Sequence, residues 1–216
     1  MVQIIDFSCG YNNSYIIKNF NATFEPNRVN ILFGKSGVGK STLLKAINRL
    51  HECEDSNFFK KGTIKAKIDS SLVDVYKEDV IKIRRNIGYI FQSPTPLPFS
   101  IEKNVAFGLE IAKAKNIHQK VIKALKDANL YSEVKNRLNQ SANRLSLGQQ
   151  QRLAIARALV LEPQILLFDE PTSSLDLKST LKIEELLIKL SQTKTVILVT
   201  HNQEQIKRLN AKVFNI

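Results

Sequence analysis

The sequence predicts an α/β fold: a core built on a mixed or parallel sheet, an antiparallel β-subdomain at the amino end, and an inserted α-helical subdomain. Three observations predict it. A short apolar strand at 29–33 runs straight into the glycine loop Gly34-Lys35-Ser36-Gly37-Val38-Gly39-Lys40-Ser41, after which Leu43, Leu44, Ile47 and Leu50 recur at helical spacing. Residues 164–209 alternate strand, helix, strand, helix, and that order implies parallel strands. Between these halves, about 100–160 carries helical stripes.

From the amino end, 2–7 and 15–24 read as strands separated by a turn-rich loop, Gly10-Tyr11-Asn12-Asn13. Residues 51–77 are less regular, with 63–68 alternating like an edge strand. A helix is predicted over 78–85 and a strand over 87–91, ending at Gln92. Pro94, Pro96 and Pro98 then alternate, which excludes a helix interior or a central strand. Ser100 is a good cap for a helix carrying Val105, Leu109 and Ala112. Asn116 and Gln119 predict a capping-box start for a helix with Val121, Ile122, Leu125 and Ala128 on one stripe. Strand 164–169, helix 178–192, strand 194–199 and helix 202–209 follow. The 216 residues read as one domain, with 1–91 and 161–216 as its core and 92–160 as the helical subdomain.

Composition narrows the class. A hydrophobic content of 43% and a charged content of 24% suit a soluble globular protein. Apolar runs such as Val196-Ile197-Leu198-Val199 fall far short of the roughly 20 residues a membrane helix needs. Asp6 interrupts the first apolar stretch, and neither a basic region nor a cleavage site is visible, so no secretory signal is expected. Cys9 and Cys53 have neither metal spacing nor a disulfide framework, which suits a reducing cytoplasm. The net charge of +12 has two readings, an anionic partner or lysine-rich solvated faces. Lysines 113, 115, 120, 123 and 126 are scattered without interleaved aromatics, and Trp is absent, so solvated faces are favoured over nucleic acid. Weak attraction to an acidic membrane surface is compatible with that reading.

The chemistry lies in four segments. Residues 34–41 fit G-x-x-x-x-G-K-[ST] without a mismatch, between a strand and a helix as that pattern requires. Backbone N–H groups there turn inward around phosphate oxygens, Lys40 reaches the β- and γ-phosphates, and Ser41 supplies a hydroxyl to Mg²⁺. Ile165-Leu166-Leu167-Phe168 reads as a strand buried on both faces that ends in Asp169 and Glu170. Sheet-strand ends are where ligands bind. Asp169 is the candidate Mg²⁺ ligand and Glu170 the candidate general base for the attacking water. A pair of acids capping the turn at Pro171 is the plainer alternative, weakened by the phosphate loop that precedes it. Leu145-Ser146-Leu147-Gly148-Gln149 opens a helix running to Val160 with Leu153, Ile155, Ala156 and Leu159 on its stripe, and Ser146 can cap it. His201 follows a strand end on the edge that also carries the phosphate loop.

In their chain order, 34–42, 145–149, 165–170 and 200–202, and over nearly the whole chain, the four segments resemble the ATP-binding cassette of ABC transporters. The resemblance implies a P-loop NTPase core, ATP and Mg²⁺ as cofactors, and an ATP-dependent head-to-tail homodimer with two composite sites. It assigns ATP contacts to Gly34, Lys35, Ser36, Gly37, Val38, Gly39, Lys40, Ser41 and Thr42. Ser146, Gly148 and Gln149 would cover the γ-phosphate held by the second copy. Leu147 stands where the family usually has glycine, and its β-carbon is expected to conflict with conformations that only glycine adopts freely. His201 would bridge γ-phosphate, water and the opposing copy. Gln92 would contact Mg²⁺ and sense the membrane partner. Ser173, Ser174, Leu175 and Asp176 resemble the loop that communicates between the two sites, while also offering a cap for the helix at 178–192. Tyr11, seven residues before Lys18, matches the spacing of the family's adenine-stacking aromatic, and the turn around it is expected to expose the ring; Tyr15 is its rival.

Phe91-Gln92-Ser93-Pro94-Thr95-Pro96-Leu97-Pro98-Phe99-Ser100-Ile101 and Asn104-Val105-Ala106-Phe107-Gly108 resemble the corresponding region of bacterial phosphate-importer ATPases, and Thr200-His201-Asn202 agrees. Leu97 departs from the usual phenylalanine, and the closing carboxy-terminal segment of longer relatives is expected to be missing. The implied activity is an ATPase at the cytoplasmic face of the membrane. It would power phosphate uptake through membrane-embedded permease subunits and, indirectly, a substrate-binding protein. An importer of another oxyanion or an amino acid is the alternative. Non-transport cassettes carry two cassettes or long coiled coils, and neither is present in 216 residues. Lys40, Glu170 and His201 argue against a regulatory module with a dead site.

Overall fold

The computed structural model describes residues 1–54 and 57–216. Asp55 and Ser56, within the irregular stretch expected at 51–77, lie outside the described residues. In chain order, β1 (Val2–Tyr11), β2 (Ser14–Phe24), β3 (Arg28–Phe33) and α1 (Lys40–Ile47) lead into β4 (Phe58–Ile68) and β5 (Ser71–Asp74). Next come α2 (Val80–Asn86), β6 (Ile87–Ile90), α3 (Ile101–Ile111), α4 (Ile117–Asp127), α5 (Tyr131–Val134) and α6 (Leu147–Leu159). The chain closes with β7 (Ile165–Asp169), α7 (Leu177–Ser191), β8 (Thr195–Val199), α8 (Gln203–Leu209) and β9 (Lys212–Asn215).

Two compact units emerge. The first comprises Met1–Tyr89, Gln164–Glu170 and Leu187–Ile216; the second, Ile90–Pro163 and Pro171–Leu186. The second therefore differs from the 92–160 expected from sequence in also taking 171–186.

The first unit is α/β, as predicted. Its antiparallel sheet has the order β2-β1-β4-β5, and a second sheet is ordered β6-β7-β8-β3-β9, with β7–β8, β8–β3 and β3–β9 parallel. Ile165, Leu166, Leu167 and Phe168 of β7 and Val196, Ile197, Leu198 and Val199 of β8 are all fully buried. Each such side chain contributes roughly 1.5–3 kcal/mol when fully removed from water. The continuous apolar run is what a strand covered on both faces requires. These paired strands hold 169–170 and 200–201 at the same carboxyl edge.

Several expectations are corrected here. β4 is flanked by β1 and β5, so 63–68 lies inside its sheet rather than at an edge; alternation marks a strand with one covered face, not its place in the sheet. The loop expected over 10–13 shrinks to Asn12-Asn13, both with positive φ, because a two-residue hairpin turn needs no more. β1 therefore continues to Tyr11, which pairs with Ser14. β9 was not anticipated; its short alternation is completed by pairing to β3.

The second unit is helical. Ser100 caps α3 by accepting from the Lys103 N–H at 3.2 Å, as expected. Asn116 does not form the predicted capping box. Its backbone is left-handed (φ 56°), whereas a side-chain cap needs an extended residue, and its side chain makes no cap bond. Val121, Leu125 and Ala128 are nonetheless buried, so the stripe of α4 holds. Among the described residues no helix is long and apolar enough to cross a membrane.

Candidate functional site

In the first unit, β3 ends at Phe33 and the chain loops through 34–39 before α1 begins at Lys40. Gly39, the residue before that helix, has φ +105°, and a β-carbon there would fall 2.5 Å from Ile16 Cγ2. Only glycine suits both the backbone and the space. Lys40 is 5% exposed, and its ammonium donates to the carbonyls of Gly34 at 2.9 Å and Lys35 at 2.8 Å. A buried cation thus braces the loop from within. Lys35, Ser36 and Gly37 are exposed, and Val38 and Thr42 are half-buried.

The loop is tied directly to the end of β7. Ser41 Oγ donates to Asp169 Oδ1 at 2.9 Å. Asp169 Oδ2 accepts from the Tyr89 hydroxyl at 2.8 Å. The adjacent Glu170 is half-buried, its N–H bonded to the Val199 carbonyl at 3.1 Å, and Oε2 lies 3.0 Å from His201 Nδ1. An ionised Glu170 fixes the proton on His201 Nδ1. Glu170 also adopts φ 45°, a left-handed backbone that costs a non-glycine residue on the order of 1–3 kcal/mol. Such strain gathers at functional sites. Ser41, next to Lys40, is thus brought to Asp169, and the adjacent Glu170 to His201, joining three of the four segments at one edge of the first unit.

Tyr89 was missed by sequence reasoning. It sits mid-strand in an apolar run, and a half-buried tyrosine there signals a partner for its hydroxyl. Tyr89→Phe should lower stability by about 1.5 kcal/mol, the lower end for a hydrogen bond to a charged group, since the ring is only half-buried. The midpoint of urea unfolding measures this; an unchanged midpoint would show that the bond contributes nothing net.

The two tyrosines expected to compete for adenine are also placed. Tyr11 is half-buried and packs edge-on against Phe58, with ring centroids 5.3 Å apart. Tyr15 is 37% exposed, edge-on to Phe59 at 4.9 Å, with the ammonium groups of Lys18 and Lys61 at 5.6 and 5.9 Å from its ring. One ground for preferring Tyr11, an exposed ring, does not hold, because the shorter turn leaves Tyr11 on a strand; its spacing to Lys18 is unaffected.

The second unit carries the remaining candidates. Ser146 caps α6 in a full capping box: Ser146 Oγ accepts from the Gln149 N–H, and Gln149 Oε1 accepts from the Ser146 N–H. Leu147 is the first residue of that helix and does not have positive φ. The expected conflict with a glycine-only conformation is thus corrected; only the bulk of its 42%-exposed side chain remains. Gly148 is buried. Gln92 is exposed, and its Nε2 donates to Ser173 Oγ at 3.2 Å. Ser174 is exposed and Leu175 half-buried, its N–H bonded to the Thr172 carbonyl. Asp176 accepts from the Ser179 N–H and hydroxyl at 2.9 and 2.7 Å, which holds its carboxyl below the usual range and caps α7.

Among the described residues no cluster of three or more His, Cys, Asp or Glu forms a metal cage. The donor set beside the phosphate loop, a serine hydroxyl and a carboxylate, is all oxygen. That is the pattern of Mg²⁺ held jointly by protein and phosphates.

The ABC transporter family model matches residues 17–173. The chain is 44% identical over 211 residues to phosphate import ATP-binding protein PstB 1 of Gloeobacter violaceus, covering 96% of this chain and 79% of that protein. It is 42% identical over 214 residues to phosphate import ATP-binding protein PstB of Thermotoga maritima, covering 97% and 83%. Among solved structures, cbiO1 of Clostridium perfringens, part of the ABC transporter complex cbiONQ, superposes with a TM-score of 0.82 at 28% identity, covering 99% of this chain and 83% of that one. The ATP-binding cassette MJ0796, solved as a dimer in a post-hydrolysis state with ADP and Pi, gives 0.79 at 32% identity, covering 100% and 94%.

Proposed function

The chain belongs to the ABC transporter family, and from that membership we propose that it is the ATP-hydrolysing subunit of an importer that powers phosphate uptake through a separate membrane permease. The observation that carries the catalytic part is the 2.9 Å bond from Ser41 to Asp169, which ties the phosphate loop to the strand bearing Glu170. The phosphate part is supported by the names of the two PstB relatives and by the proline-rich stretch after Gln92.

In this reading, 34–42 hold the triphosphate, with Lys40 turning its charge from loop carbonyls to the β- and γ-phosphates. Ser41 and Asp169 hold Mg²⁺, with Gln92 added on resemblance alone. The ion, when bound, neutralises phosphate charge. Glu170 takes a proton from the attacking water, and His201, with Nδ1 committed to Glu170, keeps Nε2 for the γ-phosphate side. Tyr11, at the family's spacing from Lys18, stacks on adenine in this reading, with the more exposed Tyr15 as its rival. Ser146, Gly148 and Gln149 complete the site of a second copy, and 173–176 link the two. The 216 residues act as one ATPase domain, peripheral to the cytoplasmic face of the membrane, with a substrate-binding protein engaged only through the permease.

Two experiments test the proposal. Reconstituted with its permease subunits in vesicles, the protein should drive ATP-dependent uptake of labelled phosphate; ATP hydrolysis without uptake would reject the substrate. Ser146→Arg places a long charged side chain at the proposed shared γ-phosphate. It should leave monomeric nucleotide affinity intact and block ATP-driven dimerisation in gel filtration. Normal dimerisation and hydrolysis in that variant would sink the composite site.

A further inference from the structure

Glu133, on the short helix α5, takes no part in the chemistry above, yet its carboxylate lies at the centre of a densely bonded polar cluster of the second unit. Arg152 of α6 grips it with two bonds, Nη1 to Oε1 at 2.8 Å and Nη2 to Oε2 at 3.0 Å. Lys182 of α7 donates to Oε1 at 3.0 Å, and Gln149 Nε2 donates to Oε2 at 2.9 Å. Arg152 is almost fully buried, and it also donates to the Asn129 and Gly148 carbonyls. These donors, Arg152 first, hold the Glu133 carboxyl down to about 2, so it remains a charge throughout the working range of pH.

Gln149 decides what the cluster can do. Its amide nitrogen is spent on Glu133, which turns its oxygen toward the Ser146 N–H at 3.1 Å and Arg137 Nη2 at 3.4 Å. The capping box at the start of α6 is thus oriented from outside by Glu133. A second contact joins the same turn to α7. A β-carbon on Gly148 would fall 2.7 Å from Ser179 Oγ, and that hydroxyl donates to Asp176. The turn at 146–149 and the loop at 173–176 are both anchored on the first turns of α7.

We propose that Glu133 is a positioning residue for the shared nucleotide site: by fixing Gln149 and the capped start of α6 to α7, it makes the 146–149 turn and the 173–176 loop one rigid contact surface for the second copy. This rests on the reading of 146–149 as the segment that covers the partner's γ-phosphate. Glu133 touches no nucleotide; it pre-organises the groups that do, and a pre-organised surface needs less ordering on closure.

The test uses a Glu170→Gln background, in which hydrolysis is stalled, and measures the ATP concentration for half-maximal dimerisation. Glu133→Gln should raise it about tenfold, the factor expected from one lost charge-assisted bond, with monomeric nucleotide affinity within about twofold. Should that variant fail to fold, Glu133→Met with Arg152→Met replaces the pair by apolar chains of similar length and keeps the packing. The double variant should show the same rise. A merely structural role would lower the melting temperature of these variants without moving the ATP requirement. A folded variant that dimerises at wild-type ATP, while Ser146→Arg does not dimerise, overturns the role of Glu133 alone. If Ser146→Arg also dimerises normally, the shared-site reading fails first.

Discussion

Glu170→Gln should retain nucleotide binding and lose turnover by ~10²–10⁴-fold, the usual contribution of a positioned general base. The amide keeps the shape of the carboxylate but cannot accept the proton of an attacking water. It also gives up the charge that fixes the proton on His201 Nδ1, 3.0 Å away in the wild type. Binding should survive because the loop, Lys40 and Ser41 are untouched. Steady-state phosphate release would report the loss, and gel filtration with ATP should show an accumulated dimer. Turnover close to wild type would remove Glu170 from the mechanism.

Lys40→Ala should weaken ATP binding by ~10–10²-fold, since hydrogen bonds to charged groups contribute about 1.5–3 kcal/mol. Two causes add. The variant removes the cation proposed to face the phosphates, and it leaves the Gly34 and Lys35 carbonyls without the ammonium that braces them at 2.9 and 2.8 Å. The second cause makes a further expectation: the loop itself should exchange its amide hydrogens faster without nucleotide. Equilibrium titration with a fluorescent ATP analogue measures the affinity. Unchanged affinity would mean that the backbone cradle and helix end bind the triphosphate unaided.

The phosphate loop and the ends of β7 and β8 were legible because each depends on local pattern. A glycine loop between strand and helix, an apolar run ending in acids, and a histidine after another apolar run all carry their signal within a few residues. What could not be read depends on pairing between distant segments. The interior position of β4 is set by β1 and β5, and β9 exists by virtue of β3. Tyr89 gains meaning only once β6 lies beside β7. The Asn116 cap failed for a different reason: side-chain identity suggests a cap, but the backbone angle decides it. Leu147 erred the same way, its helical backbone being invisible from residue type alone.

The left-handed backbone at Glu170 sets selection for activity against selection for durability. Glycine would relieve the strain at that position, so a screen that rewards heat resistance alone should drift toward it and enrich inert molecules. The reverse holds for lineages kept under demand for transport. They must retain a locally unfavourable residue and meet its cost elsewhere, in the fully buried apolar runs of β7 and β8.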